Sequence, residues 1–237
     1  VRRACCHPRM SNYAYLSLWF DDGSPGRLIA HAEKLLLLFP ISEREPAFRA
    51  LAIRGISPAE PALVERDVLL SPAEVRSCLG EFFQADCGAE VRAYWDLWSY
   101  RADGTRLDWQ QTPSPVEFVF QGEQYDDSSF AESGHVLITL GLEHVFTGHA
   151  GILSGSGAEA TPEQFTARAE YEFALALQQP EMLEAYRAHT LENIRRLLAF
   201  ERALWTGLPI RRRRLWSEGE SDLERRLEQL LLHRPSQ

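Results

Sequence analysis

No stretch of apolar residues in this chain exceeds the five of Leu35–Phe39. A transmembrane helix needs about 18, so the sequence predicts no membrane span. Cysteine is sparse and badly spaced for metal or disulfide work. Of Cys5, Cys6, Cys78 and Cys87, two are adjacent near the start and two stand alone, with no Cys-x-x-Cys pair. A reduced, cytoplasmic protein is the expectation. Positive charge is also short: the formal net charge is −9 and the pI about 5.3. Nucleic-acid affinity rests mainly on Lys and Arg neutralising phosphates, so the balance speaks against a nucleic-acid partner. The local exception is Arg211–Arg214. Lys34 is the only lysine, which reads as genomic base composition rather than function. Cys5-Cys6-His7 resembles a metal fragment, but Met10 is the first methionine. Residues 1–9 are therefore read as a non-native extension preceding a start at Met10, and are set aside.

What is present is an ordinary globular composition, 45% hydrophobic and 25% charged. A chain of this length buries about 70–75% of its unfolded surface and needs no staple to fold. Tyr13 to Phe20 reads as a strand. Ser24-Pro25 starts a helix that stops before Pro40, with Ser as N-cap and Pro at the first helical position. Residues 48–56 and 62–69 read as a hairpin joined through Pro58 and Pro61. Ser71 and Glu74 form a capping box that opens the next helix. Residues 90–101 make the clearest strand and turn at Asp103-Gly104 into 106–111. Two further strands are expected at 116–121 and 135–142. The order from Tyr13 to Arg101 is β-α-β-β-α-β, a ferredoxin-like arrangement, which carries no reaction with it.

A Gly/Ser-rich linker or loop follows at 147–160, and a second capping box at Thr161–Gln164 opens a helix to about Gln178. The longest helix begins at Pro180. It places Leu183, Tyr186, Thr190, Ile194, Leu197, Leu198 and Leu204 on one stripe. Pro209 ends it, and a short amphipathic helix is expected over 221–233. The fold class is thus α+β: a ferredoxin-like core extended by further antiparallel strands, with a C-terminal helical segment packed on the sheet. The divisions are 10–146 for the sheet domain, 147–160 for the linker and 161–237 for the helical region.

Strand alternation sorts the aromatic residues. Ala14, Leu16, Leu18 and Phe20 share one face with Val91, Ala93, Trp95 and Leu97. If the first strand and the 90–101 strand are neighbours, the other face gathers Tyr13, Tyr15, Trp19, Tyr94, Trp98 and Tyr100. Such a face is either a stacking platform for a ligand or bases, or a second interior covered by the C-terminal helices. A six-ring patch exceeds what a monomer normally leaves in water, and the Pro180 helix needs a partner for its stripe. The covered interior is therefore the expectation, with a pocket at its margin formed by Tyr94, Asp96, Trp98 and Tyr100.

Other clusters are weaker. Glu143, His144 and His149 offer a carboxylate and two imidazoles within seven residues, the ligand types of a catalytic metal site, though the spacing is not HExxH. Asp126-Asp127-Ser128-Ser129 reads as a polar turn. The Gly148–Gly157 segment lacks the Gly-Lys-Ser/Thr ending of a phosphate loop. Cys78 reads as a small core residue. Arg211–Arg214 reads as solvated, or as paired with Glu218, Glu220 and Asp222. The favoured expectation is a non-enzymatic bacterial protein-interaction protein of accessory or immunity type. It would have a protein partner, no cofactor, no membrane association, and room for a homodimer. The alternative is a small-molecule binder or metal-dependent hydrolase using the Glu143–His149 loop. RNA binding through the aromatic face ranks last.

Overall fold

The computed structural model describes residues 12–103, 106–127, 129–149, 153 and 168–232. The order is β1 (Tyr13–Phe20), α1 (Pro25–Leu38), β2 (Arg49–Gly55), β3 (Ala62–Arg66), α2 (Pro72–Phe82), β4 (Cys87–Asp103), β5 (Arg106–Gln121), α3 (Ser129–Glu132) and β6 (Val136–Leu142). Then come α4 (His144–Thr147), α5 (Arg168–Ala176), α6 (Pro180–Gly207), β7 (Ile210–Ser217) and α7 (Leu223–Leu232). The protein is mixed α+β, with helices packed on one seven-stranded antiparallel sheet of order β3-β2-β4-β5-β6-β1-β7. Among the described residues no helix is long and apolar enough to cross a membrane. Residues 1–9, Ser128, most of the Gly148–Gly157 segment and the Thr161–Gln164 capping box lie outside the described residues.

The ferredoxin-like order is not what the sheet shows. It requires β1 beside β4, whereas β1 lies between β6 and β7, separated from β4 by β5 and β6. Local patterning marks most strands, but not which strand docks beside which. The C-terminal part also gives the sheet a strand. Arg211–Arg214 sits in β7, paired with β1 at the sheet edge, with Arg211 and Arg212 exposed and Arg213 and Arg214 half-buried. Arg213 pairs with Glu201 and, at 2.7 Å, with Glu224, not with Glu218, Glu220 or Asp222. Charged side chains on an outermost strand discourage pairing with another chain.

The predicted division into two faces does appear. Ala14, Leu16, Leu18 and Phe20 of β1 and Val91, Ala93, Trp95 and Leu97 of β4 are all buried in the main core. The long α6 helix packs on that same face through Ile194, Leu197, Phe200 and Leu204, with Phe200 against Phe39 and Trp95. It does not cover the Tyr13–Tyr15 side. Sheet width explains this. Seven strands spaced about 4.8 Å apart span roughly 29 Å, while two helices 8–10 Å apart cover about 20 Å. The apolar face therefore still had room for α6 and α7, which a four-stranded core would not have offered.

β5 runs unbroken through Pro113 and Pro115, where the sequence suggests two separate strands. Opposite them, the main-chain groups of Asp96 and Tyr94 bond outward, to Arg196 and Ser42. Directly opposed antiparallel residues share one hydrogen-bonding state, so both proline nitrogens point away from β4. No β4–β5 bond is lost. β5 pairs with β6 only over Glu117–Phe120, leaving those nitrogens on a free edge, where proline is tolerated.

β4 meets β2 only as far as Arg92, so the two strands continue as a two-stranded arm. Such an arm is marginal alone. The α6 helix supports it by crossing the free β4 edge at Asn193, itself only 1% exposed. The Asn193 side-chain carbonyl accepts the Trp98 N–H at 2.9 Å, and its amide donates to the Trp98 carbonyl at 2.9 Å and to Val145 at 3.3 Å. Asn193 thus stands where a neighbouring strand would. Beyond it, Leu107, Phe173, Ala176 and Tyr186 form a second, smaller core with Tyr100 and Trp109.

Candidate functional sites

The arm, the 143–149 segment and the middle of α6 border a half-open cavity of about 250 Å³. Its walls include Trp98, Tyr100, Trp109, His144, His149 and Tyr186, with Thr190 and Asn193 at the helix side. Each element reaches it for a local reason. The β4–β5 register, which pairs Asp103 with Arg106, sets Tyr100 opposite Trp109 on one face of the arm. A single helical turn after β6 carries His144 back towards the sheet and ends at Gly148, whose φ of 74° suits glycine. Tyr186, Thr190 and Asn193 follow one another at helical spacing on α6.

The rings are closely fitted. Tyr100 stacks on Phe173 at 4.7 Å and 14°. His189 lies 3.9 Å from the Trp98 ring and 4.8 Å from that of Trp109. His144 and His149 are 4.3 Å apart, centre to centre. The Tyr186 hydroxyl accepts the His149 backbone N–H at 2.8 Å and stands 3.1 Å from His149 Nδ1. Burial, with His144 beside it, lowers the His149 pKa to about 4. Burial also lowers His144, against the opposing pull of Glu143, and His189, against that of Glu192. Burial raises Tyr186 to about 12 and pushes Tyr100 well above the usual phenol value. The cavity is therefore lined by neutral imidazoles and neutral phenols at pH 7.

Of the margin residues expected from the sequence, Trp98 and Tyr100 line this cavity. Tyr94 and Asp96 do not. Asp96 instead accepts bonds from the Ser42 hydroxyl at 2.8 Å and the Glu43 amide at 2.9 Å, closing the turn after α1. The Glu143–His144–His149 trio separates too. Glu143 faces Arg226 at 3.4 Å and Asn12 at 3.3 Å, so only the imidazoles meet. Among the described residues no group of three or more His, Cys, Asp or Glu is gathered to hold a metal. Asp126 and Asp127 form a left-handed turn with φ of 49° and 51°, and Ser129 bonds to Asp126. Cys78 is a buried thiol in the main core. Trp109, Tyr186, His189, Thr190 and Asn193 are cavity or flanking residues that the sequence reading missed. The arm register carried a signal for Trp109, and Thr190 and Asn193 are polar residues on or beside an otherwise apolar stripe.

The second feature is the sheet face opposite the main core. The six aromatic residues do not gather there, because β5 and β6 separate β1 from β4. Trp98 and Tyr100 turn into the arm cluster, and Trp19 is only 8% exposed. At the β1–β7 end a different row forms. Tyr15 stacks on Trp216 at 4.6 Å, and the Trp216 indole donates to the Ser17 hydroxyl at 3.0 Å. The Arg212 guanidinium lies 4.3 Å from the Trp19 ring centre, and that of Arg214 lies 5.3 Å from that of Trp216. Glu218 is engaged by the Tyr13 amide and the Tyr15 hydroxyl, each at 2.6 Å. Among the described residues neither Arg212 nor Arg214 has a carboxylate partner. No protein family, curated protein or solved structure matches the chain.

Proposed function

We propose that this chain is a non-enzymatic, accessory or immunity-type protein that binds an acidic surface of another protein at the β1–β7 end of its sheet. The Arg212–Trp19 and Arg214–Trp216 pairs carry this reading. Trp, Tyr and Arg are the side chains most enriched where protein interfaces concentrate their energy. An arginine lying on an indole keeps its edge donors free for a carboxylate, and the ring below holds it in place. In a chain of net charge −9, two such cations side by side are a local inversion that an acidic partner fits. A reducing compartment such as the cytoplasm suits the free Cys78 and Cys87.

The test is co-purification with the full-length chain and with an Arg212→Ala/Arg214→Ala variant of unchanged thermal stability. One polypeptide held by the wild type, resistant to nuclease and lost from the variant is the expected outcome. Equal retention by both chains would reject the reading. Release by nuclease, with a steep salt dependence, would replace it with nucleic-acid binding.

A further inference from the structure

Independently of that surface, we infer that the cavity between the β4–β5 arm, the 143–149 segment and α6 binds a small, uncharged, planar ring molecule carrying hydrogen-bond acceptors on its rim. Size is the first argument. An apolar cavity of about 150 Å³ accepts benzene, so a cavity of about 250 Å³ has room for two fused rings.

Wall chemistry is the second. The walls are mainly flat rings, and among the described residues no Asp, Glu, Lys or Arg lines the cavity. Charges neighbouring the lining residues in the chain have partners elsewhere: Glu143 meets Arg226, Arg187 meets Glu184, and Arg196 meets the Asp96 carbonyl and Glu192. A charged ligand would give up its hydration there with no counter-charge to meet it.

Unused donors are the third. The indole N–H groups of Trp98 and Trp109 are buried without a hydrogen-bond partner. Buried unpaired donors are rare in folded proteins and ask for a reason. Both rings line the cavity while their N–H atoms are turned into the protein, as that of Trp95 is in the main core, so rotation of either indole would present a donor to a ligand's carbonyl oxygen or ring nitrogen. The walls are also held in advance, by Asn193 on Trp98, by Tyr186 on His149 and by Phe173 on Tyr100. Such fixed geometry lowers the ordering cost of binding.

The probe is coumarin, a neutral two-ring lactone, with coumarin-3-carboxylate as its charged counterpart. Each is titrated into the full chain while the indole N–H resonances of the six tryptophans are followed by ¹H–¹⁵N NMR. Coumarin should shift the Trp98 and Trp109 signals saturably and leave the other four in place, and the carboxylate should bind at least about tenfold more weakly. His144→Trp, which puts a larger ring into the half-buried His144 position, should abolish the shifts with the rest of the spectrum intact. The inference is overturned by an absence of saturable shifts in the wild type, by equal shifts in all six indoles, or by equal binding of the anion. Undiminished binding by His144→Trp would overturn it as well, as would zinc ion alone shifting His144 and His149 at one equivalent while coumarin shifts nothing.

Discussion

Replacing Asn193 by Ala tests how the arm is held. The side chain makes three bonds to main-chain groups, at 2.9, 2.9 and 3.3 Å, across the free β4 edge. A typical net hydrogen bond contributes about 1 kcal/mol, and a buried main-chain group stripped of its partner costs about 1–3 kcal/mol. The Trp98 N–H and C=O both lose their partner beneath α6, so a loss of about 3–4 kcal/mol is expected. At about 2–4 °C per kcal/mol for a chain of this size, that lowers Tm by roughly 10 °C. Asn193→Asp separates hydrogen bonding from volume. It keeps an acceptor for the Trp98 N–H but sets a buried carboxylate against the carbonyls of Trp98 and Val145. Burial raises its folded-state pKa above the unfolded value of about 3.9. The Asp variant is then least penalised below that pH and loses stability as pH rises through the folded value. Urea denaturation of the three chains between pH 5 and 8 measures both effects. A loss below about 1 kcal/mol for the Ala variant would show that α6 holds the arm by apolar contact alone. A pH-independent Asp variant would refute the electrostatic half of the reasoning.

Two further perturbations probe buried charge. Arg213→Met strands the Glu201 carboxylate, whose side chain is 5% exposed, and should cost about 3–5 kcal/mol. Glu201→Met/Arg213→Met should recover most of that loss in urea denaturation, and a single variant within about 1 kcal/mol of wild type would contradict this. His149 should remain neutral to about pH 4 when its ring protons are followed by NMR. Its folded pKa lies below the unfolded value of about 6.5, so the stability it contributes is complete above that pH and falls by about 3 kcal/mol as pH drops to about 4. His149→Phe should flatten this acid limb, and titration of His149 above pH 6 would contradict the burial seen here.

Several element boundaries were legible because they rest on local chemistry, though β5 runs as one strand where two were expected and β7 was not foreseen. The Ser71–Glu74 capping box forms with both reciprocal bonds. The expected hairpin has its counterpart in the pairing of Asp103 with Arg106, and period-two alternation sorts the buried side of β1 and β4 from the other. The α6 stripe was likewise readable at Tyr186, Thr190, Ile194, Leu197 and Leu204, all buried. Strand order was not readable, because β1 offers its backbone equally well to β4 or to β6 and β7. The choice depends on which packing buries most of all the apolar faces at once. From that choice follow the departure from ferredoxin-like order, the dispersal of the aromatic face and the helix-side packing of α6. The candidate sites divide in the same way. Trp98 and Tyr100 share a face by alternation, which the sequence determined by itself. Their meeting with His149 and Tyr186, and the pairing of Arg212 with Trp19, were decided only in the tertiary structure. Those partners lie far apart in the chain, and only the placement of α6 over the arm and of β7 beside β1 brings them together.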